Sequence, residues 1–158
     1  MVTLRNALDA IEMSGSMKED NDSGTSISIT TAGDYYGWVS AGEGEVTNVT
    51  FASDATADKL VIPSEGAGLY QIEGNFSFSG TGGAVVIGAL HVSGSPDTSC
   101  KLRRKIGAGG DTGNASLSPA IIDLSAADYL DVRFTSDDNG DSITIYTGSL
   151  TIRRIKRS

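Results

Sequence analysis

The sequence predicts an all-β protein, two antiparallel sheets closed into a jelly-roll sandwich. Three observations carry that expectation. From about Thr25 to Ile155, short β-branched runs alternate with polar residues between glycine-rich turns. Glycine occurs 20 times in 158 residues, well above the usual share of about 7%, which suits turns and bulges. Nothing repeats at a fixed period, so a propeller or solenoid is not expected.

Ahead of the strands, Thr3 could cap a short helix whose apolar positions Leu4, Ala7, Leu8 and Ile11 follow helical spacing. Ser14-Gly15-Ser16 would end it, and the polar, acidic residues 18–24 read as a linker. Residues 1–24 are therefore expected to form an arm and residues 25–158 the jelly-roll domain. An isolated helix this short is marginal in water. The arm is expected to dock on its own domain, a neighbouring subunit or a larger assembly.

Strands are then expected over residues 26–31, 35–40, 46–51, 59–62, 69–79, 84–92, 100–106, 116–124, 129–135 and 142–155. The run from Gly68 to Gly80 is the clearest. Leu69, Gln71, Glu73, Asn75 and Ser77 fall on one side, and Tyr70, Ile72, Gly74, Phe76 and Phe78 on the other, the period of a half-buried strand. Tyr70, Phe76, Phe78, Ile143 and Ile145 suit either the inner core or a subunit seam. Gly80-Thr81-Gly82-Gly83 and Asn139-Gly140 suit hairpin turns, a hairpin is also expected over residues 93–99, and Gly148 suits a bend in the last strand or a break into two.

Net charge is −8, which argues against nucleic acid as a partner for most of the surface. Residues 1–99 carry 13 acidic and 3 basic side chains, and residues 100–158 carry 7 and 9. Eight basic residues form two groups, Lys101, Arg103, Arg104, Lys105 and Arg153, Arg154, Lys156, Arg157. Solvated strand ends and intersubunit ion pairs account for them, with a patch for phosphate or an acidic protein as the alternative. A lone Cys100 excludes an intrachain disulfide. No signal peptide is visible in the first thirty residues, and no apolar run approaches the ~18 residues of a membrane span. A soluble protein made in the cytoplasm, with no membrane partner, is expected.

Three segments carry a resemblance. Leu60-x-Ile62-Pro63-x-x-Gly66-x-Gly68-Leu69-Tyr70 resembles the entry to a central strand of the C1q/tumour-necrosis-factor-like jelly roll. Ile121-Ile122-Asp123-Leu124-Ser125-Ala126-Ala127-Asp128-Tyr129-Leu130-Asp131-Val132 resembles that family's turn into an aliphatic strand. Ile143-Thr144-Ile145-Tyr146-x-Gly148-x-Leu150-Thr151-Ile152 resembles its closing strand. The likeness covers roughly residues 45–155. Aromatics make up 6% of the chain and no collagen-like Gly-X-Y tract is present. The style looks like that of the small tailed-bacteriophage virion proteins that use this jelly roll as a trimer. The resemblance implies a homotrimer.

Little in the chain suggests reaction chemistry. His91 is the single histidine, so a histidine-rich metal site within one chain is not expected. Cys100 could act as a nucleophile only beside a base, with His91 as the one candidate; a small buried thiol is the simpler reading. No nucleophile elbow or phosphate loop occurs. Asp137-Asp138-Asn139-Gly140-Asp141 offers oxygens to Ca²⁺ or, more simply, an Asn-Gly turn. Asp54, Asp58, Glu65 and Glu73 include no pair suited to glycosidase chemistry. Trp38, Tyr35 and Tyr36 suit an aromatic platform for a sugar or an anchor at a sheet edge. No catalytic, cofactor-binding or metal-ligating set is therefore expected.

The expected function is non-enzymatic: a bacteriophage virion structural protein, a homotrimeric capsid decoration or cement protein on the head surface. Its partners would be its own copies and the major capsid protein or another virion component. The alternative is a receptor- or glycan-binding tip of a head or tail fibre, using Trp38, Tyr35 or residues 137–141. Such a tip would follow a long shaft, which these residues do not include.

Overall fold

A computed structural model describes residues 12–39 and 42–157. Among them are twelve strands and no helix; the expected helix between Thr3 and Ile11 lies outside the described residues. In chain order the strands are β1 (Ser14–Ile29), β2 (Tyr36–Gly37), β3 (Gly42–Thr47), β4 (Thr50–Ala52), β5 (Lys59–Val61) and β6 (Gly68–Ser79). They continue as β7 (Val85–Val92), β8 (Ser95–Lys105), β9 (Gly113–Ser116), β10 (Ala120–Leu124), β11 (Tyr129–Ser136) and β12 (Asp141–Arg157).

These strands form two antiparallel sheets of six strands each. One, sheet A, runs β10-β6-β12-β1-β3, with β9 on β6. The other, sheet B, runs β4-β5-β11-β7-β8, with β2 on β11. The period-two pattern of β6 sends Tyr70, Ile72, Phe76 and Phe78 inward, where they are buried. From sheet B, Leu90, Leu130, Val132 and Phe134 meet them. The phenyl rings interlock across the sandwich: Phe134 sits edge-on to Phe76 at 5.2 Å and to Phe78 at 5.9 Å, an arrangement that aligns ring quadrupoles favourably. Ile143 and Ile145 join this interior, so all five residues that suited core or seam are core.

Several boundaries differ from the sequence expectation, each for a local reason. Residues 18–24 are not a linker. β1 starts at Ser14 and runs through them, and only a bulge interrupts its pairing with β12 between Asp20 and Thr25. Gly24 takes φ 68° in that bulge, where a Cβ would lie 2.4 Å from Thr144 Cγ2. The expected strand over 46–51 is two strands in different sheets. Asn48, at φ 55°, turns the chain from β3 in sheet A to β4 in sheet B. The expected strand over 116–124 breaks at Leu117-Ser118-Pro119 into β9 and β10, which pair with different stretches of β6.

Neither glycine turn proposed as a hairpin is one, because each joins the two sheets. Residues 80–83 carry the chain from β6 to β7, and Asn139-Gly140 carries it from β11 to β12. Ser93 and Gly94 do close a hairpin, between β7 and β8, both with positive φ. Gly148 does not break the last strand either. β12 is continuous, and at Gly148 a Cβ would stand 2.8 Å from Cζ2 of Trp38. Glycine is there so that the indole can lie against the strand.

Candidate functional site

Sheet A has one free face. Glu73, Asn75 and Ser77 of β6, Asn114 and Ser116 of β9, and Thr147, Ser149 and Thr151 of β12 stand on it. Six of them (Asn75, Ser77, Asn114, Ser116, Thr147 and Ser149) line a shallow hollow of about 460 Å³. Its side chains are short and neutral, and Ser116 Oγ donates to Asn75 Oδ1 at 2.6 Å. Toward one end Ile121 stands beside Gln71, with 64% of its surface exposed. Short-chained and uncharged, the hollow lets another surface approach closely at low desolvation cost, while Lys18, Asp20, Glu73 and Arg153 stand around it on the same face.

The outward side of sheet B is different, because its polar groups are tied to one another. His91 alternates with the core residue Leu90, so it points away from the interior, and it pairs in register with Asp131. The imidazole is nevertheless buried. Tyr35 lies edge-on to it at 5.1 Å, and Nδ1 is 3.3 Å from the Gly94 carbonyl oxygen. Burial holds its pKa below the usual histidine value, against the opposing pull of that carbonyl and of Asp131. Asp131 is fully buried and accepts from Arg133 through Nε at 3.1 Å and Nη2 at 2.8 Å. That pairing raises the pKa of the guanidinium further.

Cys100 lies in the core cluster, on the opposite face of sheet B from His91, so the two never meet as nucleophile and base. Burial, with the nearby Asp97 carboxylate adding to it, pushes the thiol pKa up to about 11. Trp38 is not on the surface. Its ring is buried edge-on to Phe76 at 5.1 Å, and Nε1 donates to Glu19 Oε2 at 2.7 Å. It is therefore an anchor between the sheets and belongs to no sugar platform; only Tyr35 and Tyr36 reach solvent. Nothing in the sequence marked Glu19 as its partner, because Glu19 sits in an acidic, polar stretch.

Three side-chain oxygens of residues 137–141 are taken by backbone groups. Asp137 Oδ1 accepts from Val85 N at 2.7 Å, Asn139 Oδ1 from Ala32 N at 2.7 Å and Asp141 Oδ1 from Thr81 N at 2.9 Å. Three loops are thereby tied together at one end of the sandwich. Among the described residues, no three acidic, histidine or cysteine side chains converge in a group able to hold a metal ion. The two basic groups also divide. Arg104 turns in to Phe78 O at 2.8 Å and to Asp111 Oδ2 at 2.8 Å, whereas Arg103 and Lys105 stay exposed. Arg154 Nη1 donates to Glu65 O at 3.1 Å.

Three solved structures superpose on nearly the whole chain. Eiger TNF from S. frugiperda does so with a TM-score of 0.67 at 13% identity, over 93% of this chain and 94% of its own. The globular domain of zebrafish complement 1qA scores 0.59 at 13% identity, over 92% and 99%. PRD1 vertex protein P5 scores 0.53 at 15% identity, over 93% and 99%. The chain has the TNF/C1q-like jelly-roll fold. No protein-family model and no curated protein matches the sequence, so this likeness concerns the fold alone. The resemblance seen in residues 60–70, 121–132 and 143–152 therefore holds at the level of fold, with those residues on β5 and β6, β10 and β11, and β12.

Proposed function

We propose that this chain is a virion structural protein that assembles as a homotrimer through the free face of sheet A and attaches to a capsid through its N-terminal segment. The observation that carries the reading is the jelly roll shared with PRD1 vertex protein P5 over nearly the full length of both chains. The small polar residues around Asn75, Ser116 and Ser149, flanked by exposed Ile121, supply a surface suited to a second and third copy. Trimer formation multiplies whatever each N-terminal segment contributes on the capsid, since three linked contacts act at high effective concentration. Burying the apolar side chains Leu4, Ala7, Leu8 and Ile11 would supply that contact, at ~1.5–3 kcal/mol for each large one.

Among the described residues the interior begins at Met13, whose carbonyl accepts from Arg154 N, so the test removes residues 1–11. The truncated protein is expected to keep its trimeric mass by light scattering and to lose cosedimentation with capsids lacking the protein. A monomeric full-length chain, or undiminished cosedimentation of the truncated trimer, would refute the assignment. The fibre-tip alternative loses Trp38, which is buried, and keeps Tyr35, which reaches solvent.

A further inference from the structure

Away from the free face of sheet A, β1, the β2 segment and the β4–β5 loop border an open cleft of about 430 Å³, within the ~300–1,000 Å³ range of small-molecule sites. Ile27, Ser28, Tyr35, Tyr36, Thr56 and Arg133 line it. Both tyrosine rings are held in place. Tyr36 Oη lies 2.5 Å from Thr30 Oγ1 and accepts from Thr31 N at 3.0 Å, while Tyr35 packs edge-on to His91. Arg133 is held as firmly. Buried Asp131 takes the Nε and Nη2 side of its guanidinium. The Nη1 end makes no hydrogen bond among the described residues, and 23% of the Arg133 side chain remains exposed.

An arginine whose orientation is set from behind and whose outer donors are free is prepared for a planar carboxylate. The aromatic walls and exposed Val39 add an apolar surface for a ring, and the hydroxyls at Ser28 and Thr56 edge it with polar atoms. We propose that this cleft binds an acidic sugar, with the carboxylate of a uronic-acid ring on the outer end of Arg133 and the ring face against Tyr35 and Tyr36. The site lies within one subunit, so it depends neither on the trimer nor on capsid attachment.

The test is a titration of the full-length ¹⁵N-labelled protein, followed by amide chemical shifts. The ligands are sodium glucuronate, a disaccharide ending in glucuronate, and glucose. Glucuronate, alone or at the chain end, is expected to shift residues 26–28, 35–39, 55–56 and 133 saturably, with the tighter of the two identifying a free or a polymer-borne ligand. Glucose, lacking the carboxylate, is expected to bind about tenfold or more weakly, the loss of a charge-assisted pair. Arg133→Lys keeps the charge but loses the fork and is expected to abolish that preference. Should Arg133→Lys unfold, Ala55→Trp carries the test, because Ala55 is exposed at the cleft wall and a bulky ring there should block binding without touching the core. No saturable shifts, shifts elsewhere on the protein, or equal response to glucose and glucuronate would overturn the assignment.

Discussion

Trp38 and Glu19 show how one hydrogen bond decides what a residue is for. Glu19 is buried on the inward face of β1, and Oε2 is satisfied by the indole N–H, whereas Oε1 has no partner among the described residues. A buried carboxylate with one bond is sensitive to losing it. Trp38→Phe keeps most of the packing against Phe76 and Gly148 yet strands the carboxylate, so unfolding free energy in urea is expected to fall by ~1–3 kcal/mol beyond the packing loss. Glu19→Met combined with Trp38→Phe removes both polar partners and is expected to recover most of that hydrogen-bond loss. Additive effects in the double-mutant cycle would contradict the coupling. The site was half legible. Phe76 and Phe78 announced their burial through strict alternation, but Gly33-Asp34-Tyr35-Tyr36-Gly37-Trp38 has no period from which an inward Trp38 could be read.

At the scale of elements, the turn between β11 and β12 shows a motif used for architecture. Asp141 is buried, which raises its pKa, but the donors from Thr81, Ser136 and Ser142 outweigh burial and leave it below the usual aspartate value of 3.8. A lowered folded value means the unfolded chain takes up the proton first. The stabilisation is therefore complete above the unfolded value and is lost as pH falls through the lower folded one. In thermal melts, the wild type is expected to lose more stability below about pH 3.8 than Asp141→Asn does, and to exceed that variant by ~1–3 kcal/mol near neutrality. Parallel melting curves at every pH would remove Asp141 from this role.

The strands themselves were legible where one face is apolar and the other polar, as in β6, β7 and β11. They were not where other forces act. β1 buries Gly15, Met17 and Glu19 behind a polar surface, so its composition reads as a linker. The passage from β3 to β4 hangs on a single left-handed Asn48, and nothing in the run Val46-Thr47-Asn48-Val49-Thr50 distinguishes one strand from two. Turn residues were found correctly at 80–83 and 139–140, but local chemistry does not say whether a turn returns to the same sheet or crosses to the other.

For the whole molecule, the contrast between the two outer faces carries the assembly prediction. Thr147 is exposed on sheet A, paired with Asp20 on one side and Ser77 on the other. Thr147→Arg places a long cation where copies are proposed to meet, while within one subunit it gains an acidic neighbour. The variant is expected to stay folded by circular dichroism and to shift toward monomer in sedimentation, as a long cation between copies obstructs close approach and costs several kcal/mol to desolvate. An unchanged trimer would move the contact to another face.

β12 occupies the middle of sheet A, hydrogen-bonded to β6 on one flank and β1 on the other. During translation, β1 and β6 leave the ribosome long before the strand that joins them. Until residues 141–157 emerge, those two have no shared neighbour, and their edges stay open to foreign strands. Closure of this sandwich is thus a late event in biosynthesis, and a nascent chain stalled short of β12 is exposed to chaperones and proteases with its interior half built.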